Sequence, residues 1–362
     1  MRIFLYFILK IIDKKDIRTL SKEELRFFFR QHGFPAFKGD QVYQWLWQKG
    51  FHDFDLMTNL SLNHRNLLKK YFEIKHINID LQQRSLDGTI KNAVKLFDNF
   101  VIESVLIPTS KRTTACVSSQ VGCSLDCTFC ATASLKRMRN LNPDEIYDQV
   151  VAMDKQSRLY HNRPLSNIVF MGMGEPLMNY NNVMAAIEKI IDSEGLAMSP
   201  KRIILSTSGV PKMIRKMADD KVRFGLAVSL HSARQEIRET IMPFAKKFKL
   251  DDLIEALEYW HAYTKKKITF EYVVWNEIND LKEDIDALVR LCKRIPSKVN
   301  IIQYNPIDNA SFKEAPQSVI DSYIEALSRS KIKVTYRRSR GVDIDAACGQ
   351  LANKLDKKEK TF

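Results

Sequence analysis

The spacing of apolar residues near the start of the chain predicts three short helices. Ser21 and Glu24 have the spacing of a capping box, and an apolar face follows them. Two further apolar faces with helical spacing are expected near 39–49 and 61–72. A small helical module is therefore predicted to occupy residues 1–75.

From about residue 76 the apolar pattern changes to a period of two, which is typical of β-strands. Asp87-Gly88 is a hairpin turn signal between two such runs. A second turn at Asp98-Asn99 precedes the apolar run VIESVLI. These signals predict a β extension, with a hairpin, at 76–112.

Beyond residue 112, strand-like and helix-like segments alternate along the chain. Repeated βα units require parallel strands joined by right-handed crossovers. With a strand near 113–120, six such units are expected, in a partial TIM-type barrel or a doubly wound sheet. Asn142-Pro143-Asp144-Glu145 marks a helix start, with proline at the first helical position. The other strand candidates are 167–172, 202–207, 223–230, 267–274, 298–304 and 331–338, and the later helices are expected at 180–193, 211–219, 250–264, 281–294 and 316–330.

Polar or glycine-rich motifs follow four of the predicted strands. In a βα barrel these positions open onto one face, where active sites lie. Polar loops in general would account for one or two such motifs, but not for four at equivalent positions. The motifs are GMGEP at 172–176, STSG at 206–209, SLHS at 229–232 and QYNP at 303–306.

Composition narrows the function classes. Hydrophobic residues make up 45% and charged residues 28% of the 362 residues, which excludes general disorder. The chain has 57 Lys and Arg against 43 Asp and Glu, a net charge of +14. This excess favours a polyanionic partner such as RNA or DNA, although a generally basic protein would have the same composition.

The apolar segment MRIFLYFILKII at 1–12 is too short to span a bilayer. No small-residue cleavage site follows it, so it does not read as a signal peptide. We expect it to pack on the first domain. No membrane partner and a cytoplasmic location are expected.

Cysteine spacing supplies the candidate chemistry. Cys123, Cys127 and Cys130 form CxxxCxxC, and three thiolates on one loop suit an iron–sulfur cluster or zinc. A structural zinc site would need a fourth ligand, whereas three thiolates leave one iron of a cluster open. Iron–sulfur is therefore favoured. Cys292 lies on an apolar helix face and is expected in the core.

Six segments together resemble the RlmN family, bacterial rRNA and tRNA adenine-C2 methyltransferases of the radical S-adenosylmethionine (SAM) superfamily. The resemblance runs from about residue 20 to 352. The combination of CxxxCxxC with the segment DIDAACGQL is otherwise known only in the sister family Cfr, which methylates adenine C8. Pro176 favours RlmN over Cfr. The segments are CVSSQVGCSLDCTFCAT at 116–132, FMGMGEPLMN at 170–179, LSTSGV at 205–210, VSLHS at 228–232, QYNP at 303–306 and DIDAACGQL at 343–351.

The resemblance implies an α/β fold, a radical SAM partial (βα)6 TIM-type barrel. It also implies an RNA-binding role for the N-terminal helical module at 1–75, with the β extension at 76–112 as a linker. The barrel is expected at 113–310. A C-terminal helix, strand and cysteine loop would occupy 311–362.

The resemblance also implies a [4Fe-4S] cluster on Cys123, Cys127 and Cys130, with the fourth iron open for SAM. The motifs at the ends of the barrel strands would contact SAM through its methionine, ribose and adenosine parts. The residues expected there are Gly174, Glu175, Ser206, Ser229, Leu230, His231 and Asn305.

Two SAM molecules and three further residues complete the chemistry that the resemblance implies. Cys348 takes a methyl group, whose carbon is then activated by a 5′-deoxyadenosyl radical and added to the adenine ring. Cys116 assists proton removal and forms a transient disulfide with Cys348, and Glu103 is the expected proton acceptor. The partners are 23S rRNA, tRNA and an electron-donating flavodoxin and reductase system, and a monomer is expected.

Two basic runs support contact with RNA, because basic groups beside a barrel mouth would hold phosphates. Each run is equally compatible with a solvated charged surface that binds nothing. Two other functions stay open at this point: a radical SAM enzyme acting on a small molecule or protein, and a zinc-dependent nucleic-acid-binding module. The runs are Lys136, Arg137 and Arg139, and Lys331, Lys333, Arg337, Arg338 and Arg340.

Overall fold

The computed structural model describes residues 14–308 and 310–353. The apolar segment at 1–12, expected to pack on the first domain, lies outside the described residues. The described residues divide into two compact units, one formed by 14–77 together with 187–198, and the other by 78–186, 199–308 and 310–353. No helix in the described part is long and apolar enough to cross a membrane.

The first unit contains the three predicted helices. The N-cap of the first is the capping box: Ser21 Oγ accepts from the Glu24 backbone N–H at 3.2 Å, and Glu24 Oε2 accepts from the Ser21 N–H at 2.7 Å. A short parallel pair of strands joins the start and end of this segment. The elements are β1 Lys15–Asp16, α1 Lys22–Gln31, α2 Phe37–Trp47, α3 Leu62–Tyr71 and β2 Phe72–Glu73.

The second unit is built on a ten-stranded sheet. Three antiparallel strands, β3 Asn78–Arg84, β4 Ile90–Lys95 and β5 Val101–Pro108, form the predicted β extension. The hairpin between β3 and β4 turns at Asp87-Gly88, as predicted. The strand β5 then pairs antiparallel with β6 Thr113–Cys116, the first strand of the parallel part.

From β6 onward, neighbouring strands of the sheet are parallel. They lie side by side in chain order, without the reversal of strand order that defines a doubly wound sheet. The predicted partial-barrel arrangement is therefore confirmed. The strands are β9 Asn167–Phe170, β10 Ile203–Thr207, β11 Gly225–Ser229, β12 Ile268–Val273, β13 Ser297–Ile302 and β14 Lys333–Arg337.

Helices connect the parallel strands, and most begin where the sequence indicates. All six residues of β12 are buried, as expected for a strand covered on both faces. One helix, α7, was not predicted. The helices are α4 Pro143–His161, α5 Tyr180–Ile191, α6 Pro211–Asp219, α7 Gln235–Ile241, α8 Leu250–Thr264, α9 Lys282–Arg294 and α10 Gln317–Arg329; a small antiparallel pair, β7 Gln120–Val121 and β8 Arg139–Asn140, flanks the CxxxCxxC loop.

Candidate active site

A pocket of about 1020 Å³ opens at the carboxyl ends of the parallel strands. All four polar motifs predicted to share one face contribute to its wall. A pocket at this end of a βα barrel is the expected place for catalysis. The predicted residues that line it are Cys123, Cys127, Cys130, Gly174, Glu175, Ser206, Ser229, His231, Asn305 and Cys348.

The three thiols of the CxxxCxxC loop lie close enough to affect one another's ionisation. Burial, with a smaller contribution from the neighbouring Cys130, raises the pKa of Cys123 to about 12. Burial also raises the pKa of Cys127 well above its ordinary value, with further increases from Cys130 and Cys123. Three such thiolates are compatible only when a cationic centre compensates their charge.

That donor set fits an iron–sulfur cluster. Soft thiolates are its usual ligands, and three of them leave one iron without a protein ligand. Within 14–308 and 310–353, no three His, Cys, Asp or Glu side chains are grouped so that they could hold a single metal ion.

Aromatic packing holds the CxxxCxxC loop against the barrel. The ring of Phe129 lies 4.8 Å from His231 and 5.0 Å from Trp275, measured between centroids. The backbone N–H of Thr128 donates to the Ile241 carbonyl at 3.0 Å. The unpredicted helix α7 therefore ends at the residue that anchors this loop.

Glu175 is buried and bonded to the loop after β10. Its carboxylate accepts from the Thr207 hydroxyl at 2.7 Å and from the Ser208 backbone N–H at 2.8 Å. Burial nevertheless raises the pKa of Glu175 above its ordinary value. Gly174, just before it, has φ +97°, and a Cβ there would lie 2.5 Å from the Cβ of Gln120. The glycine therefore allows the GMGE loop to approach Gln120.

His231 is buried in the pocket wall with a left-handed backbone, φ 56°. Its Nδ1 accepts from the Val273 N–H at 3.2 Å, which places the ring proton on Nε2. Burial, with a smaller contribution from Arg238, lowers the pKa of His231 to about 3. The ring is thus a neutral donor. Leu230, between two lining residues, is fully buried and does not line the pocket.

Cys348 and Cys116 lie within electrostatic reach of each other. Cys348 is exposed and lines the pocket, whereas Cys116 is 7% exposed at the end of β6. Burial, and next the neighbouring Cys348, raises the pKa of Cys116 to about 12. Cys348 also raises the pKa of Cys130, although burial is the main cause there, so its thiol interacts with both Cys116 and the CxxxCxxC loop.

The Cys348 loop, which we define as residues 341–353, is bonded directly to the CxxxCxxC loop. The Ala131 N–H donates to the Gly349 carbonyl at 2.7 Å, and the Thr132 hydroxyl donates to the Leu351 carbonyl at 2.7 Å. Asn305 Nδ2 donates to the Cys348 carbonyl at 3.3 Å. The sulfur predicted to carry a methyl group is therefore held over the candidate cluster site.

Glu103 does not line the pocket. It lies on β5, fully buried, and its Oε2 accepts from the N–H groups of Ala352 at 2.7 Å and Asn353 at 3.1 Å. Its carboxylate therefore contacts the end of the Cys348 loop in this structure.

Sequence analysis missed Glu271, a buried carboxylate of β12 in the pocket wall. Its Oε1 accepts from Asn300 at 2.9 Å, and its Oε2 lies 3.6 Å from Arg337 Nη1. Arg337 interacts electrostatically with Cys348 and Cys116 as well. The only sign of Glu271 in the sequence is a charged residue inside an otherwise apolar strand. Arg337 appears in the sequence only as one member of a basic run.

Comparison with known proteins decides the family. The model of the radical SAM superfamily matches residues 117–292, and that of the ribosomal RNA large subunit methyltransferase N-terminal domain matches 15–74. A probable dual-specificity RNA methyltransferase RlmN from Christiangramia forsetii is 67% identical over 94% of this chain and 97% of its own length. The chain belongs to the RlmN family. The resemblance stated from the motifs is thereby confirmed.

A second curated relative and a solved structure support the same family. The dual-specificity RNA methyltransferase RlmN of Geotalea uraniireducens is 41% identical over 96% of this chain and all of its own length. The crystal structure of a radical SAM methyltransferase from Sphaerobacter thermophilus matches with a TM-score of 0.88 and 35% identity, covering 93% of this chain and 99% of that one. This RlmN-family chain is therefore a radical SAM RNA methyltransferase, and the zinc-module and non-RNA alternatives are set aside.

Proposed function

We propose that this enzyme methylates C2 of an adenine in 23S rRNA and in tRNA, with Cys348 as the carrier of the methyl carbon. The observation that carries the proposal is the position of Cys348. Its sulfur lies in the same pocket as Cys123, Cys127 and Cys130 and within electrostatic reach of Cys116.

Cys123, Cys127 and Cys130 would hold a [4Fe-4S] cluster, in the pocket that the GMGE loop also lines. When bound, such a cluster supplies the electron that cleaves SAM to methionine and a 5′-deoxyadenosyl radical, and it can take one electron back. The lining residues Ser206, Ser229, His231 and Asn305, with Gly174 and Glu175, surround the space left for SAM. Leu230 would act from behind this wall, by packing.

In the first half of the cycle, Cys348 receives a methyl group. Its thiolate attacks the methyl carbon of one SAM molecule, so that a carbon–sulfur bond forms as the SAM carbon–sulfur bond breaks. Exposure of Cys348 in the pocket supports this role, because the attacking sulfur needs an open approach. Arg337 lies within electrostatic reach and would stabilise the thiolate.

In the second half, the methyl carbon of Cys348 loses a hydrogen atom to the radical formed from a second SAM and adds to adenine C2. The adduct gives up the C2 proton, toward Glu103 with the assistance of Cys116, and one electron. Cys116 then attacks the Cys348 sulfur. The carbon–sulfur bond breaks, its electron pair takes up a proton to leave a methyl group on the base, and a disulfide remains.

The proposed partners follow from this cycle. Two electrons from a flavodoxin and reductase system would reduce the Cys116–Cys348 disulfide. The target adenine must leave its stack for C2 to reach the pocket. Basic residues of the chain, which carries a net charge of +14, would hold the RNA backbone. We further propose a monomer that works in the cytoplasm.

The deciding experiment compares methyladenosine isomers in RNA. Cells lacking the native enzyme, complemented with this chain, should gain 2-methyladenosine in 23S rRNA and tRNA, measured by mass spectrometry of nucleosides. The Cys348→Ala variant is the matched control and should give none. Formation of 8-methyladenosine would contradict the C2 assignment, and modified rRNA with unmodified tRNA would contradict the tRNA part.

A further inference from the structure

A buried ion pair holds the Cys348 loop on both sides of the reactive sulfur. Lys91 Nζ lies 3.4 Å from Glu103 Oε1 and donates to the Asp345 carbonyl at 3.4 Å. Glu103 Oε2 accepts from the N–H groups of Ala352 and Asn353, at 2.7 and 3.1 Å. The pair therefore contacts the loop before and after Cys348.

Both members of this pair are removed from solvent. Lys91 is 2% exposed and Glu103 is fully buried, on the neighbouring strands β4 and β5. Transfer of two charges out of water is costly, and contacts between the two charges and with neighbouring polar groups offset that cost. Here those contacts include the backbone of the Cys348 loop, before and after the sulfur.

The contacts also restrict what Glu103 can do. One carboxylate oxygen accepts two backbone amides and the other faces the Lys91 ammonium. Glu103 does not line the pocket either. With the loop docked, both of its carboxylate oxygens are therefore engaged and neither faces the space open to a substrate.

We propose that Lys91 is a positioning residue that, through Glu103, docks the Cys348 loop for methyl loading, and that Glu103 becomes a proton acceptor only when residues 352–353 leave it. The second half of this inference rests on the proposed function of Glu103. The docked loop suits the first half of the cycle, which requires no base. If arrival of the RNA displaces residues 352–353, the same movement frees the Glu103 carboxylate from the loop.

The test uses anaerobically purified holoenzyme and three variants of the pair. Lys91→Met keeps the unbranched apolar part of the side chain but removes the charged ammonium group, and Lys91→Arg keeps a cation. Glu103→Gln keeps a carbonyl that can accept the Ala352 and Asn353 amides. Lys95→Met, on the same strand but away from the pair, is the matched control.

Hydrogen exchange of residues 345–353 and methyl occupancy of Cys348 are the two readouts, with iron content as a check on folding. Lys91→Met should speed exchange of these amides by about tenfold or more and slow methylation of Cys348 at unchanged iron content. Lys91→Arg should recover both properties. Glu103→Gln should keep Cys348 methylated but accumulate protein linked to RNA.

Three results would overturn the inference. Unchanged exchange and Cys348 methylation in Lys91→Met would remove the positioning role. A parallel loss of iron and methylation that Lys91→Arg fails to recover would reduce the pair to a structural one. Normal RNA turnover in Glu103→Gln would remove the proton-acceptor half. If wild-type Cys348 never carries a methyl group, the proposed function itself fails, while the exchange data still test loop docking.

Discussion

The side-chain amide of Asn305 donates a hydrogen bond to the carbonyl oxygen of Cys348, with Nδ2 and the oxygen 3.3 Å apart. The same Nδ2 donates to the Gln303 carbonyl, also at 3.3 Å. Asn305 follows β13, so a loop of the barrel is bonded to the residue proposed to carry the methyl group. Sequence reasoning expects Asn305 to contact the adenosine end of SAM, and the observed bonds give it a second role.

Replacement of Asn305 by alanine should slow methylation of Cys348. The variant loses a partly buried hydrogen bond of about 1 kcal/mol, so we expect a decrease of roughly fivefold in the rate of methyl transfer to the protein. Single-turnover mass spectrometry of Cys348 measures it. Asn167→Ala, which removes an exposed 3.5 Å contact to the Arg202 carbonyl, is the control. Equal rates in both variants would contradict a role for the Asn305 bond.

Substitution of Cys116 by alanine should trap the enzyme on its RNA. Without the Cys116 thiol, no disulfide can form with Cys348, and the carbon–sulfur bond to adenine stays intact. A denaturing gel with labelled RNA should show a stoichiometric covalent complex. Cys292→Ala, which changes a buried cysteine of α9, should release its product normally. Free methylated RNA from Cys116→Ala would argue against Cys116 as the resolving thiol.

Several strands could be predicted because they are largely buried in the sheet and begin with a short apolar run, as Ile203–Thr207 does. The helix Gln235–Ile241 was missed because two turns are too short to establish a helical period. The side chain of Leu230 was not placed in this way: the sequence groups it with the expected SAM contacts, whereas in the structure it is fully buried and does not line the pocket, although Ser229 and His231 do.

Contacts between residues far apart in the chain could not be predicted from the sequence. The carboxylate of Glu103 meets Ala352 across a separation of 249 residues, and no local pattern encodes that distance. Arg139, assigned to a basic run facing RNA, instead donates to both carboxylate oxygens of Glu145 at 2.7 and 2.8 Å. A run of charge in the sequence does not reveal which members are paired in the folded chain.

Substitution of Gly174 by alanine should weaken SAM binding with little loss of secondary structure. The added Cβ would lie 2.5 Å from Gln120 Cβ, in a backbone conformation with φ +97°. Strain of about 1–3 kcal/mol would displace the GMGE loop and Glu175. Isothermal titration with SAM should show at least a tenfold weaker affinity. The control is Gly225→Ala on β11, where a Cβ would meet nothing closer than 3.6 Å; equal affinities would contradict the prediction.

The buried imidazole of His231 should make the folded state less stable in mild acid. Burial lowers the pKa of His231 to about 3 in the folded chain, with Arg238 as the second cause, against an ordinary value of 6.5. Between these values the unfolded chain binds a proton that the folded chain does not. The free energy of unfolding therefore falls as the pH falls below about 6.5, by about 2 kcal/mol between pH 7 and pH 5 for this one group.

A comparison with His231→Asn isolates that contribution, because carboxylates titrate in the same range in both proteins. Asparagine tolerates the left-handed backbone at this position, φ 56°, and carries no titratable group. Urea unfolding at a series of pH values should show wild-type stability falling more steeply than that of the variant toward pH 5. Parallel curves would mean that His231 takes up its proton in the folded state as readily as in the unfolded one, and would remove the neutral Nε2–H donor from the proposed SAM site.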